Sequence, residues 1–107
     1  MRRTAPLLAL LVLAAGPARA SSPGAWTAHD DAVRRACTAA SGLRAPRTSA
    51  PVPFSDATGA RTAVLVTGGW PQARLRGRTG AMLCLFDRRS GKAEAVEATG
   101  WTAAPAR

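Results

Sequence analysis

The chain has 107 residues, enough for one domain. Fifteen Lys and Arg stand against six Asp and Glu, a formal net charge of +9, with one His, two Cys and no Tyr. That inventory is thin for catalysis. It holds no paired carboxylates, phosphate-cradling glycine loop, nucleophile elbow or metal-ligand spacing, so neither an enzyme nor a cofactor is expected.

Residues 1–20 have the three-part form of a secretory signal peptide. Arg2 and Arg3 make a positive start and Leu7 to Ala15 is a short apolar run. Gly16 and Pro17 break that run, and Ala18-Arg19-Ala20 is an A-x-A cleavage site. Its nine residues are about half of the ~20 that a membrane-spanning helix needs. No cysteine lies at the cleavage point to carry a lipid. The expected product is a single small mature domain of residues 21–107, periplasmic or secreted, with no transmembrane segment. Arg2, Arg3 and Arg19 leave with the signal, which lowers the charge from +9 to +6. The remaining excess is nearly all arginine, with Lys92 the single lysine. Genomic base composition produces such a pattern as readily as a ligand does, and export argues against a nucleic-acid partner.

Ser21 to Trp26 reads as a loose start around Pro23 and Gly24. Thr27-Ala28-His29-Asp30 fits a capping box, so a helix is expected from about Ala28 to Ser41, stopping at Gly42. At 100° per residue, Ala32, Val33, Ala36, Cys37, Ala40 and Leu43 fall within about 140°, an apolar face thin enough to approach a sheet closely. Asp30 and Asp31 are placed to pair with Arg34 and Arg35 one turn on. His29 falls on the same face, where a half-buried packing role is expected over a catalytic one. Residues 44–53 carry three prolines and read as a Pro-rich connector that crosses the surface in extended form. Phe54 is expected to drop into the core, and Ser55 to Gly59 to form a turn.

Strand signals begin at Arg61. A first strand, Arg61 to Gly68, is rich in β-branched residues. The densest apolar stretch after the signal is Ala81–Asp87, A-M-L-C-L-F-D, seven residues that suit a central strand covered on both faces. Met82, Cys84 and Phe86 point to one face, Leu83 and Leu85 to the other. Arg88 to Gly91 makes a four-residue hairpin turn, and Lys92 to Ala98 returns as a charged edge strand. Thr102 to Arg107 is expected to fray.

The predicted fold is therefore α+β: one N-terminal helix packed on an antiparallel β-meander of about three strands. A domain of this size is marginal without a staple. In an oxidising compartment Cys37 and Cys84 are expected to form one. The Leu83 and Leu85 face then needs other cover, from Trp101, Trp70, Phe54 or a second subunit, so a homodimer is a candidate state.

The informative polar stretch is Gly68 to Gly80, G-G-W-P-Q-A-R-L-R-G-R-T-G. If it is extended, Arg74, Arg76 and Arg78 share one face. With Trp70 they make a candidate docking surface, because Trp and Arg dominate interface hot spots; the plain alternative is a solvated strand end. Residues 54–94, with W-P-Q at Trp70-Pro71-Gln72 and L-C-L-x-x-R-R-x-G from Leu83 to Gly91, resemble small, uncharacterised exported bacterial proteins carrying a similar pattern. The resemblance implies a compartment and a single fold and brings no activity with it.

The expected function is a non-catalytic exported binding module whose partner is a protein or an anionic envelope component. Two alternatives use the same loop: an inhibitor of an exported hydrolase, and a basic envelope protein that binds anionic polymer or lipid headgroups.

Overall fold

The computed structural model describes residues 22–104. The expected signal peptide and the last three residues of the expected frayed tail lie outside them. Helix α1 spans Pro23–Ser41 and starts at Ser22 rather than at the Thr27 box. The Ser22 hydroxyl accepts from the Ala25 N–H at 3.1 Å, and Pro23 sits in the first turn, where its missing N–H costs nothing. Inside the longer helix, the Thr27 hydroxyl donates instead to the Pro23 carbonyl at 3.0 Å. Gly42, at φ 65°, closes the other end with its N–H on the Ala39 carbonyl. Arg34 lies 3.9 Å from Asp31, three residues back, not from Asp30. Val33 and Cys37 are wholly buried, and Ala32 and Ala36 pack beside them.

The sheet has five strands rather than three. Strands β1 (Arg44–Thr48) and β2 (Val52–Pro53) lie in the expected connector. The others are β3 (Arg61–Gly69), β4 (Thr79–Asp87) and β5 (Ala93–Glu97). The order is β1-β3-β4-β5, all antiparallel, with β2 following β1 along the same edge of β3. Prolines that exclude a helix also favour extended backbone, and an edge strand tolerates a residue with no N–H to give. The connector therefore satisfies itself on β3 instead of crossing free of the sheet. Ser49 bridges the gap between its two strands: its N–H donates to the Leu65 carbonyl, and its hydroxyl accepts from the Leu65 N–H, both at 2.9 Å.

Side chains alternate across the sheet as the central strand's pattern predicts. Thr62, Val64, Val66, Cys84 and Phe86 are buried under α1, with Met82, Ala93 and Ala95 packed at their edge. Cys37 is bonded to Cys84, with Cα atoms 5.8 Å apart. The opposite face carries cross-strand rows, Leu65–Leu83–Val96 and Ala63–Leu85–Glu94. Leu65 is buried there, lining a cavity of about 680 Å³ with Arg47, Val52, Ala103 and Ala104. Phe54 does not enter the core. It is 49% exposed, because its backbone is held at the sheet's end by the Arg61 carbonyl and by Arg88. Trp101 is 60% exposed, so it covers little of the second face. No helix among the described residues is long and apolar enough to cross a membrane.

The β4–β5 hairpin is set by Asp87, whose Oδ1 accepts from the Arg89 N–H at 2.8 Å and the Ser90 N–H at 3.3 Å. Gly91 supplies the positive φ, 73°, that the turn needs. The Arg89 N–H, aided by Ser90 and the nearby charge of Arg61, lowers the Asp87 carboxyl below its ordinary 3.8 against a smaller opposing effect of burial.

Two outcomes are expected. The disulfide closes a sequence separation of 47 residues, which chain entropy values at about 4 kcal/mol. Reduction, or Cys37→Ser with Cys84→Ser, should lower the unfolding free energy measured by chemical denaturation by roughly 2–5 kcal/mol; a denaturation midpoint indifferent to reductant would contradict it. Asp87, with a depressed folded value, contributes stability above its ordinary value, and that contribution is lost as pH falls through the lowered one. Carboxyl NMR titration should place its midpoint below 3.8, and Asp87→Asn should remove this acid-side step. A midpoint at or above the ordinary value would refute the hairpin's dependence on the ionised form.

Candidate functional site

The stretch between β3 and β4 is folded on itself rather than extended. A 3₁₀ turn covers Ala73–Leu75, and the Leu75, Arg76 and Arg78 N–H groups donate back to Gln72, Ala73 and Leu75 in turn. The Trp70 N–H donates to the Arg78 carbonyl at 3.1 Å and closes the base of the loop. Arg74, Arg76 and Arg78 are all exposed, but the turns prevent them from lining one strand face as alternation in an extended chain requires. Leu75 is half-buried and anchors the turn.

Trp70 is not a free aromatic. It is half-buried and packs against the core cluster under α1. Its ring occupies the space that a side chain at position 80 would fill: a Cβ on Gly80 would stand 2.5 Å from Trp70 Cε2. Gly80 pairs with Gly68 across the ladder. A Cβ on Gly68 would stand 2.6 Å from the Arg44 carbonyl oxygen and 2.9 Å from Leu43 Cβ. One rung of two glycines thus admits the indole on one strand and the α1–β1 backbone on the other.

That close approach brings in a residue the sequence reading did not include. Arg44 pairs with Gly69, and the register slips between Arg44 and Arg47. Ala45, within the slip, has φ 47°, in the left-handed region. Arg44 and Arg76 line one cavity of about 340 Å³ with Trp70, Pro71, Gln72 and the glycines beside them. Arg47, paired with Thr67, lies at the same end. Nothing local marks Arg44; only pairing with the far end of β3 places it beside the loop.

Basic residues stand at both ends of the ladder, with Arg61, Arg88, Arg89 and Lys92 at the end of the β4–β5 turn. Arg44, Arg47, Arg74, Arg76 and Arg78 gather where β3 ends and β4 begins. Asp87 lies opposite Arg61 at the far end, where Asp56 meets Arg88. Among the described residues, ion pairs join only Arg34 to Asp31 and Arg88 to Asp56, so none of the five gathered arginines has one. No acid lines the Arg44–Arg76 cavity.

The other polar cluster is structural. Arg88 donates to the Arg61 and Phe54 carbonyls, to Thr62 Oγ1 and to Asp56 Oδ1, at 2.7–3.3 Å. It therefore ties the segment before β3 to the β4–β5 turn. His29 Nε2 lies 3.0 Å from the buried Thr62 Oγ1, and the ring meets Phe86 edge-on at 5.8 Å. Among the described residues no carboxylate partners it, and the Thr62 hydroxyl that it meets is wholly buried. The cysteine and the first arginine of the L-C-L-x-x-R-R-x-G pattern, Cys84 and Arg88, thus have structural work, as does the tryptophan of W-P-Q. Comparison of the chain with protein-family models, with curated proteins and with solved structures finds no match.

The fit of Trp70 over Gly80 yields a stability test. Gly80→Ala should cost about 1–3 kcal/mol by forcing the indole aside. Trp70→Ala should lower the melting temperature, with a loss no larger than the ~3–5 kcal/mol of fully buried tryptophans. The double variant should lose less than the sum, because the clash and its partner are removed together. Strict additivity in chemical denaturation would show that the two groups do not share this space.

Proposed function

We propose that this is an exported, non-catalytic binding module that engages a polyanionic partner through the arginine-rich end of its sheet. The observation that carries the proposal is the gathering of five arginines, from β1 and from the β3–β4 loop, with no ion pair among the described residues. Such groups contribute little to stability while in water, because even paired surface charges are worth only ~0–1 kcal/mol. They gain value when a partner of opposite sign approaches and excludes solvent. A disulfide joining the helix to the sheet's interior supports maturation in an oxidising compartment, and with it export. His29 is engaged in packing with Thr62 and Phe86.

The role of Trp70 differs from that of the arginines. It shapes the site from below, as packing, while Arg74, Arg76 and Arg78 present charge. Binding of polyglutamate, followed by calorimetry, provides the test. Raising salt from about 0.1 M to about 1 M shortens the screening length from about 10 Å to about 3 Å and should abolish binding. Replacing Arg74, Arg76 and Arg78 together by Gln should weaken binding at least about tenfold, some 1.4 kcal/mol, and leave thermal melting nearly unchanged. Undiminished binding by the triple variant would overturn the proposal.

A further inference from the structure

We infer that the cavity between Arg44, Trp70 and Arg76 is a binding site for a phosphate monoester group, with the organic substituent against Trp70 and Pro71. The inference rests on the arginine-rich end being an anion-binding surface and assigns a specific ligand chemistry to one part of it. Its volume, about 340 Å³, lies at the small end of the ~300–1,000 Å³ of ligand sites. It suits one anionic group with a compact substituent, not a polymer.

Arg44 and Arg76 line this cavity from separate elements, β1 and the loop, and no acid lines it. Like charges held around one space repel, so their placement calls for a reason in the backbone. Three features supply it. Ala45 holds a left-handed φ that alanine disfavours, the strand slips register beside it, and Gly68 gives up a side chain so that the Arg44 carbonyl can approach. Strained residues and bulges re-aim side chains at sites. Gly77, at φ 81°, turns the chain just after Arg76.

The donor set favours phosphate over carboxylate. One guanidinium pairs with both oxygens of a carboxylate in bidentate fashion from one side and leaves a second only the outward lone pairs. A phosphate monoester has three terminal oxygens to divide between two guanidiniums from different elements. A phosphate monoester carries about −1.5 to −2 at neutral pH, close to the sum of two guanidinium charges. Gln72, on the cavity wall, adds a neutral amide able to donate or accept. The half-buried indole, held over Gly80, offers the substituent a fixed apolar wall.

Phenyl phosphate, inorganic phosphate and benzoate, titrated by calorimetry and by the NMR signal of the Trp70 indole N–H, test the inference. Phenyl phosphate should bind one per chain and shift the indole signal; benzoate should bind at least about tenfold more weakly. Arg76→Gln and Arg44→Gln should each weaken phenyl phosphate by about tenfold or more, while Arg74→Gln and Arg78→Gln stay within about twofold. Equal affinity for benzoate, a stationary indole signal, or normal binding by Arg76→Gln would each overturn it. Inorganic phosphate binding as tightly as phenyl phosphate would remove Trp70 and Pro71 from the site. Arg44→Gln carries a risk to folding because it lies at the register slip. Arg76 makes no side-chain hydrogen bond among the described residues, so its variant decides alone if needed. Polyglutamate separates the two proposals: if it binds through Arg74 and Arg78 while phenyl phosphate does not bind, the cavity fails and the surface stands. Phenyl phosphate binding without polyglutamate binding would show the reverse.

Discussion

Cys37 lies on a helix face built largely of alanines, and Cys84 lies on one of the two strands paired along both edges. The bond between them therefore joins the thinnest side of α1 to the middle of the sheet. That contact decides which face of the sheet becomes the core. Val64, Val66 and Phe86 are buried because they share the side of Cys84, and Val33 because it shares the side of Cys37. The far face, with Leu83 and Leu85 half-buried and Val52 and Val96 exposed, is left without a second helix among the described residues. A domain with so few core residues depends on such a covalent constraint more than a larger one does.

From that anchor the helix runs out to Gly42 at the end of the sheet opposite the β4–β5 turn. The chain must then reverse over β3, and the Gly68–Gly80 rung makes the reversal possible. Neither glycine there is a turn residue. Each is small because something else occupies its side-chain space, the Leu43–Arg44 backbone in one case and the Trp70 indole in the other. The same crowding that seats Trp70 also brings Arg44 beside the loop. Packing and the candidate site thus share one cause at this end of the molecule.

The gathering of five arginines follows from antiparallel topology. Arginines separated by some thirty residues, Arg44 and Arg47 on one side and Arg74, Arg76 and Arg78 on the other, meet because β1 pairs with the last residues of β3. The acids of the turns and the helix lie nearer the other end, where Asp56 and Asp87 are used by Arg88 and by backbone N–H groups. Those acids are partnered locally, while Glu97, opposite Met82 on β5, lies nearer the arginine-rich end and accepts from Thr99 Oγ1 at 3.4 Å.

Much of this fold is local in origin and was legible in the residues alone. The apolar alternation of Ala81–Asp87 is a period-two pattern, and it determined both the strand and which of its residues face the core. Gly42 ends a helix, Gly91 turns a hairpin, and two inward-facing cysteines in a small chain form a bond. Each follows from the conformational or covalent chemistry of one or two residues. The helix start was misplaced by five residues because two capping signals competed, and Ser22-Pro23 captured the earlier turn. The prolines of residues 44–53 specified extended backbone but not a hydrogen-bonding partner, so a connector and an edge strand looked the same. Alternation of Arg74, Arg76 and Arg78 implied a strand face only if the chain were extended, and Gly77 with the closing Trp70–Arg78 bond made it a turn. Arg44 beside Arg76, and Trp70 over Gly80, belonged wholly to the tertiary structure. Contacts between residues far apart in the chain depend on register and on which edge is vacant, and no single stretch carries that information.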